Sequence, residues 1–281
     1  MTFGSMKSRI GRPITGVGMA LLVTLLATGA VAQERKTITV TGSSTIAPIL
    51  LEAGRAYEQR TPGVRIDVQT GGSSRGIADA RNGRADIGMA SRAPKADEGD
   101  LKWTLVANDG LAIIVHKDNP VAALAADHIR ALYRGEITDW SAVGGKAGPV
   151  TLVHKAEGRS TLELFLHFFG LKNPDVKPHA VVGDNLQGVQ TVAANPTAIG
   201  YVSIGTAETS VSDGVPIRLL PYGGVAASVA NVANGTYPLL RPLNLVTKEP
   251  VPAHVAAFLA FAASSDADRF ITEQAFVPPP R

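Results

Sequence analysis

Three short turns, each lying between a strand-like run and the start of a helix, constrain this chain more than any other feature. Each turn combines glycine with serine or threonine, and the three cover residues 42–45, 71–76 and 158–161. Strand, tight turn and helix in repeated succession predict an α/β fold, with helices covering a mostly parallel sheet. Because ligands on such sheets bind at the carboxyl ends of the strands, we expect the three turns to lie together there.

The composition of these turns predicts an anion site. The first turns of a helix carry unpaired N–H groups and the positive end of the helix dipole. Serine and threonine add hydroxyl donors, and glycine allows close approach of the backbone to a ligand. Capping of the helix by the same hydroxyls is compatible with this role. The candidate ligand residues in the turns are Ser44, Thr45, Ser73, Ser74, Ser160 and Thr161, and Ser91 is a further candidate at a strand end.

Periodicity supports the alternation of strands and helices. Val64, Ile66 and Val68 alternate with polar residues, as in a half-buried strand. The sequence predicts further strands at 37–40, 86–90, 111–116, 150–154, 180–182, 198–202 and 243–247, and helices near 46–57, 74–82, 127–134, 161–169, 186–194 and 253–263. We expect the chain to leave one lobe at 111–116 and to return at 198–203. This assigns 33–112 and 204–281 to lobe 1 and 113–203 to lobe 2.

Residues 1–32 have the pattern of a cleaved secretory signal. Lys7, Arg9 and Arg12 precede an apolar stretch over 14–30, which ends at a small-residue site over 30–32. A retained membrane anchor is disfavoured because glycine and threonine interrupt this stretch, which is short for a spanning helix. The chain has no cysteine, which excludes both a lipid-attachment cysteine and disulfides. We therefore predict a soluble protein in the periplasm of a double-membrane bacterium.

Charge and histidine spacing exclude other classes. The chain has 27 Lys and Arg against 24 Asp and Glu, and three of the basic residues lie in the predicted signal. The mature chain is therefore neutral, which gives no reason to expect a nucleic acid partner. The six histidines show no metal-ligand spacing, so we predict neither a metal nor a cofactor.

Five short sequence segments, taken with their order along the chain, indicate a family resemblance. They are TGSSTIAP at 41–48, GSSRGI at 72–77, ADIGMASR at 85–92, ITDW at 137–140 and YPLLRPL at 237–243. With them the chain resembles the periplasmic phosphate-binding proteins that feed ABC-type phosphate importers, in the two-lobed periplasmic binding protein superfamily. The resemblance implies two α/β lobes whose hinge closes over phosphate, a monomer that docks on an inner-membrane permease, and no enzymatic activity.

The resemblance also implies roles for single residues. Relatives hold phosphate with hydroxyls and amides at helix starts, which match Thr45, Ser73, Ser160 and Thr161 in this sequence. Lys155 stands where relatives usually carry an arginine, and Arg159 replaces a small serine. A guanidinium binds an oxyanion through two parallel hydrogen bonds, which an ammonium cannot do. Arg159 is thus a candidate for that contact.

An acidic group found in some relatives is missing, which leaves alternatives open. Arg92 stands where those relatives carry an aspartate that accepts the proton of hydrogen phosphate and so disfavours sulfate. Glu157 is a candidate substitute, although we expect an ion pair with Arg159 or simple exposure. The alternatives are the same fold binding sulfate, molybdate or tungstate, and an anion sensor without transport. The third alternative is a phosphoester hydrolase with a serine nucleophile, although the sequence lacks the Ser-His-Asp spacing expected of one.

Overall fold

The computed structural model describes residues 35–280, together with Met1. The predicted signal, apart from Met1, lies outside the described residues. The strands are β1 Lys36–Gly42, β2 Val64–Thr70, β3 Ile87–Ala90, β4 Lys102–His116, β5 Thr151–Lys155, β6 Ala180–Val182, β7 Ala198–Ser203, β8 Ile217–Leu220 and β9 Leu240–Thr247. The helices are α1 Ala47–Arg60, α2 Ser73–Arg81, α3 Ala126–Tyr133, α4 Ser160–Phe169, α5 Asn185–Ala193, α6 Ile204–Ser212, α7 Val229–Ala233, α8 Ala253–Ala262 and α9 Asp268–Glu273. None of these helices is both long and apolar enough to cross a membrane.

The strands form one connected sheet whose order is β2-β1-β3-β9-β4-β7-β5-β6, with β8 also paired to β4. Pairs toward both ends of the sheet are parallel, as predicted. The central pairs are antiparallel because β4 lies between β7, β8 and β9, which all run opposite to it. The α/β alternation is thus confirmed, and the predicted strand at 111–116 is the second half of the 15-residue strand β4.

Two hydrophobic clusters divide the described part into two lobes. The first cluster, which defines lobe 1, joins β1, α1, β3, α8 and α9. The second cluster, which defines lobe 2, joins α3, α4, α5 and the strands from β5 to β8. Strand β4 serves both clusters, with Val106 and Ala107 in the first and Leu111 in the second. Strand β9 contributes Leu243 and Leu245 to the first, and Leu239, just before it, belongs to the second. These two strands connect the lobes.

The region 204–239 differs most from the expectation. The sequence assigned it to lobe 1, whereas α6, β8 and α7 contribute Ile204, Ile217 and Val232 to the lobe 2 cluster. We therefore propose that the chain returns to lobe 1 within β9, near Leu240. These three elements had no predicted counterpart. Helix α6 reads IGTAETSVS, and its serine, threonine, glycine and β-branched residues have low helix propensity, so only packing reveals it.

Candidate anion-binding site

The three predicted turns meet where the lobes face each other. In lobe 1, the backbone N–H groups of Gly71 and Gly72 both donate to Gly42 O at 2.9 Å. Across the lobes, Ser74 N donates to Gly158 O at 3.2 Å. Gly72 has φ +94°, and a Cβ there would lie 2.6 Å from Gly158 O. Glycine is thus required at this position for the second and third turns to touch.

Helices α1, α2 and α4, which begin at these turns, lack side-chain caps. Their N-cap residues are Ile46, Gly72 and Arg159, and none makes a side-chain hydrogen bond to the helix end. The expected capping by hydroxyls is therefore not found at these N-caps. The N-terminal N–H groups and the neighbouring hydroxyls remain able to face a ligand.

Arg241 connects the hydroxyls of two turns that belong to opposite lobes. Its side chain lies on β9 and is among the largest that are fully buried. Nη1 donates to Thr161 Oγ1 at 2.9 Å, and Nη2 donates to Thr45 Oγ1 at 3.3 Å. The predicted ligand residues Thr45 and Thr161 are thus brought together around one guanidinium.

Asp109 holds this guanidinium in place. The two residues face each other in the register of β4 and β9. Asp109 Oδ2 accepts from Arg241 Nε at 2.8 Å and Nη2 at 2.7 Å, and Oδ1 accepts from Gly205 N at 3.3 Å. Sequence reasoning missed both residues as parts of the site, although an acid and a base inside apolar strand runs are an unusual pattern that signals a buried pair.

Lys155 is the second buried cation of the cluster. It ends β5, is 3% exposed, and its Nζ donates to the backbone oxygen of Asp184. The pKa of Lys155 is lowered to about 7, chiefly by burial and also by the cations of Arg241 and Arg159, while the carboxylate of Asp184 opposes this shift. A bound anion near Lys155 would therefore favour the protonated form of this side chain.

Arg159 and Asn185 complete the cluster from lobe 2. The Arg159 side chain lies against two glycines, with Cδ 2.9 Å from a Cβ built on Gly72 and Nη2 3.3 Å from one built on Gly183. Among the described residues its guanidinium has no hydrogen-bond acceptor. Asn185 Nδ2 donates to Thr45 Oγ1 at 2.9 Å and so joins the first residue of α5 to lobe 1. Asn185 was not predicted.

The Ser160 hydroxyl is buried at the first position of α4 and has no hydrogen-bond partner among the described residues. An unpaired buried hydroxyl is costly, and such groups in native proteins usually face a ligand or water. Ser160 precedes Thr161, whose hydroxyl contacts Arg241. The cluster therefore holds an unused donor beside its cations.

The other predicted serines lie around this centre. Ser73 and Ser91 are both buried and bonded to each other, with Ser91 N donating to Ser73 Oγ at 3.2 Å. Ser74 donates instead to Glu163 Oε1 across the lobes at 3.0 Å. Ser44 is half-buried and lines a separate cavity of about 700 Å³ between α1, α5 and α6. The structure thus brings together Thr45, Lys155, Arg159, Ser160 and Thr161 most closely.

Arg92, which stands at the position of the missing acid, and Glu157, its candidate substitute, both make other contacts. Arg92 makes two hydrogen bonds to Glu98, at 2.6 and 2.7 Å, and both residues are buried. Glu157 is exposed, as expected, and accepts from Asn173 Nδ2 at 3.0 Å. The cations of Lys155, Arg159 and Arg241 thus outnumber the carboxylates of Asp109 and Asp184 that lie near them, and this balance favours an anion.

Comparison with known proteins agrees with this arrangement. A family model described as a PBP superfamily domain matches residues 27–266. The chain belongs to the periplasmic binding protein superfamily. Within it, a solved ABC-type phosphate transport receptor from Vibrio cholerae is 31% identical over 87% of this chain and all of that one, with a TM-score of 0.72. The fold is therefore the two-lobed one that the resemblance implied.

Two further members are similar over most of their length. A protein from Clostridium perfringens, solved with bound phosphate and provisionally assigned as a phosphate ABC transporter substrate-binding protein, is 29% identical over 87% of this chain and all of that one, with a TM-score of 0.80. The phosphate-binding protein PstS of Bacillus subtilis is 28% identical over 247 residues, which cover 86% of this chain and 80% of the relative. The family thus consists of substrate-binding proteins rather than enzymes.

Proposed function

We propose that this chain captures inorganic phosphate between its lobes and delivers it to an ABC importer. The observation that carries this proposal is the contact of Arg241 with Thr45 and Thr161, which lie on opposite lobes. An anion bound beside this guanidinium is held from both sides, so its binding favours the closed arrangement. The names of the phosphate-binding relatives support phosphate as the anion.

The side chains divide into two kinds of ligand. Lys155, Arg159 and Arg241 supply charge, and the guanidinium of Arg159 also supplies paired N–H donors. Thr45, Ser160 and Thr161 supply hydroxyls, together with the N–H groups at the start of α1 and α4. Ser73 and Ser91 complete the lobe 1 side, whereas Ser44 lines the separate cavity and Ser74 bonds to Glu163.

A different oxyanion is the second candidate, and one observation favours it. The carboxylate of Asp109 is bonded to Arg241 and to Gly205 N, and Arg92 is bonded to Glu98. A carboxylate that is already hydrogen-bonded is less able to accept the proton of hydrogen phosphate, so such a site discriminates weakly against sulfate. Sulfate, molybdate and tungstate are therefore the competitors to test.

Calorimetric titration of the mature, ligand-stripped protein with phosphate, sulfate and molybdate tests the proposal. We expect phosphate to bind most tightly, and Thr161→Ala to weaken it by about tenfold or more, because a hydroxyl facing a charge is lost. Thr191→Ala is the matched control, since that hydroxyl bonds to Gln187 O within α5. Absence of phosphate binding, or a stronger response to sulfate, contradicts the assignment of phosphate.

Three further statements belong to the same proposal. Residues 1–32 direct export to the periplasm, the mature protein acts as a monomer, and it binds without turnover. An importer reconstituted in vesicles should take up phosphate only when this protein is added. Tight binding without stimulated uptake would instead indicate a sensor, and release of phosphate from an aryl phosphate ester would indicate a hydrolase.

A further inference from the structure

Glu163 reaches from lobe 2 to three polar groups of lobe 1. It lies in the first turn of α4, and its side chain is 26% exposed. Ser74 Oγ donates to Oε1 at 3.0 Å. Lys95 Nζ lies 2.8 Å from Oε2 and Arg92 Nε lies 3.2 Å from the same oxygen, and both contacts are ion pairs without hydrogen-bond geometry. These contacts exist only when the two lobes meet.

The lobe 1 side of this contact is built in advance. Arg92 is 5% exposed, and its two terminal nitrogens bond to Glu98, whose pKa is lowered chiefly by this hydrogen bond. Asn244 Nδ2 donates to Arg92 O at 2.9 Å, and the Arg92 guanidinium lies 5.7 Å from the ring centre of Trp103. The guanidinium is therefore held in place by lobe 1 residues alone, its Nε has no hydrogen-bond partner among the described residues, and little ordering is needed when the Glu163 carboxylate approaches it.

We propose that Glu163 is an inter-lobe latch, a positioning residue whose carboxylate binds Ser74, Arg92 and Lys95 in the closed protein and sets how long the anion is retained. The ligand named here rests on the proposed function, whereas the contact between the lobes does not. The second turn thus has two roles, with Ser73 at the anion site and Ser74 in the latch.

The latch and a simple electrostatic effect predict opposite changes in anion retention when the Glu163 carboxylate is removed. Removing a carboxylate near a bound anion relieves repulsion, and so strengthens binding if charge alone matters. Removing a latch weakens retention. Glu157 is the matched control because it lies on the loop just before α4, is exposed, and bonds to Asn173 of its own lobe.

Stopped-flow measurement of phosphate release separates these effects. We expect Glu163→Gln to release phosphate about five- to tenfold faster with little change in the association rate, since a closed-state contact acts on dissociation. Glu157→Gln should release phosphate at the parent rate or more slowly. Release from Glu163→Gln at the parent rate, or more slowly, overturns the latch.

A double-mutant cycle tests whether Ser74 acts through Glu163. Ser74→Ala alone should speed release, and it should add little in the Glu163→Gln background. Full additivity of the two changes would instead mean that Ser74 contacts the anion directly, and would remove Ser74 from the latch.

Measuring the distance between the lobes tests the latch even if phosphate is not the ligand. The chain has no cysteine, so Gln59→Cys on α1 and His128→Cys on α3 give one spin label on each lobe, both at exposed positions. If the parent fails to bind phosphate, the proposed function fails, and the closed fraction in ligand-free protein decides the latch. A lower closed fraction in Glu163→Gln supports it, and equal fractions overturn it.

Discussion

At the scale of single residues, Lys155 shows that burying a cation in the ligand-free site destabilises the folded protein. Its ammonium is buried beside two arginines, so its pKa falls to about 7 from the ordinary value of 10.5. The unfolded chain restores an ordinary pKa and therefore binds more protons than the folded protein between pH 7 and 10. The ligand-free protein should thus become more stable as the pH rises through this range, because proton binding by the unfolded chain favours unfolding less at higher pH.

Comparison with Lys155→Met isolates this contribution. Between pH 7 and pH 9, the unfolding free energy of the parent should rise by about 2 kcal/mol relative to that of the variant, from roughly 1.4 kcal/mol per pH unit. Urea unfolding of both proteins, stripped of anions, measures the difference. Two curves that stay parallel across this range would contradict the lowered pKa of Lys155.

At the scale of elements, the contact between the turn that begins α2 and the turn that begins α4 decides whether the site closes. Gly72 combines a φ of +94° with the near approach of Gly158 O. Gly83, at the end of α2, also has a positive φ, of +68°, but has no heavy atom within 4 Å of an added Cβ. The two glycines therefore share a positive φ, which would strain any other residue, and differ in the contact across the lobes.

Gly72→Ala and Gly83→Ala use this difference. Both should lose about 1 kcal/mol of stability or more from strain, because alanine resists a positive φ. Only Gly72→Ala should weaken phosphate binding, by about tenfold or more, since its methyl group separates the second and third turns. Titration calorimetry compares the two variants. Equal affinities in both would mean that the close approach at Gly72 is not needed for binding.

At the scale of the whole molecule, the lobes share two continuous strands. β4 contributes to both hydrophobic clusters, β9 contributes to the first and directly follows Leu239 of the second, and the Asp109–Arg241 pair joins the two strands. Unfolding one lobe would expose half of each strand and break a buried ion pair, which is strongly unfavourable. The lobes should therefore unfold together.

Differential scanning calorimetry tests this cooperativity. We expect one transition for the mature protein, and phosphate at 100 times its dissociation constant should raise the unfolding free energy by about 2.7 kcal/mol. The whole transition should move to higher temperature as phosphate is added. Two peaks, of which only one responds to phosphate, would show that the lobes unfold independently.

The sequence predicted the parts of the site whose residues are close together in the chain and missed the contacts between residues that are far apart. The turn at 158–161 was recognised because its glycine, its hydroxyls and the following apolar helix face lie within about one element of each other. The roles of Arg241 and Asn185 were missed. Arg241 meets Thr161 from 80 positions away and Thr45 from 196, and Asn185 meets Thr45 from 140.

The sequence by itself therefore determined the α/β alternation and the turns that carry the hydroxyls, since periodicity and turn chemistry are local. Only the tertiary structure decided that β9 runs beside β4 and brings Arg241 between the lobes. It also decided that Ser74 bonds to Glu163 while Thr45 meets Arg241, although both serve as hydroxyls at helix starts. The physical reason is that sheet order and lobe packing, which no local pattern encodes, set which distant groups share a buried space.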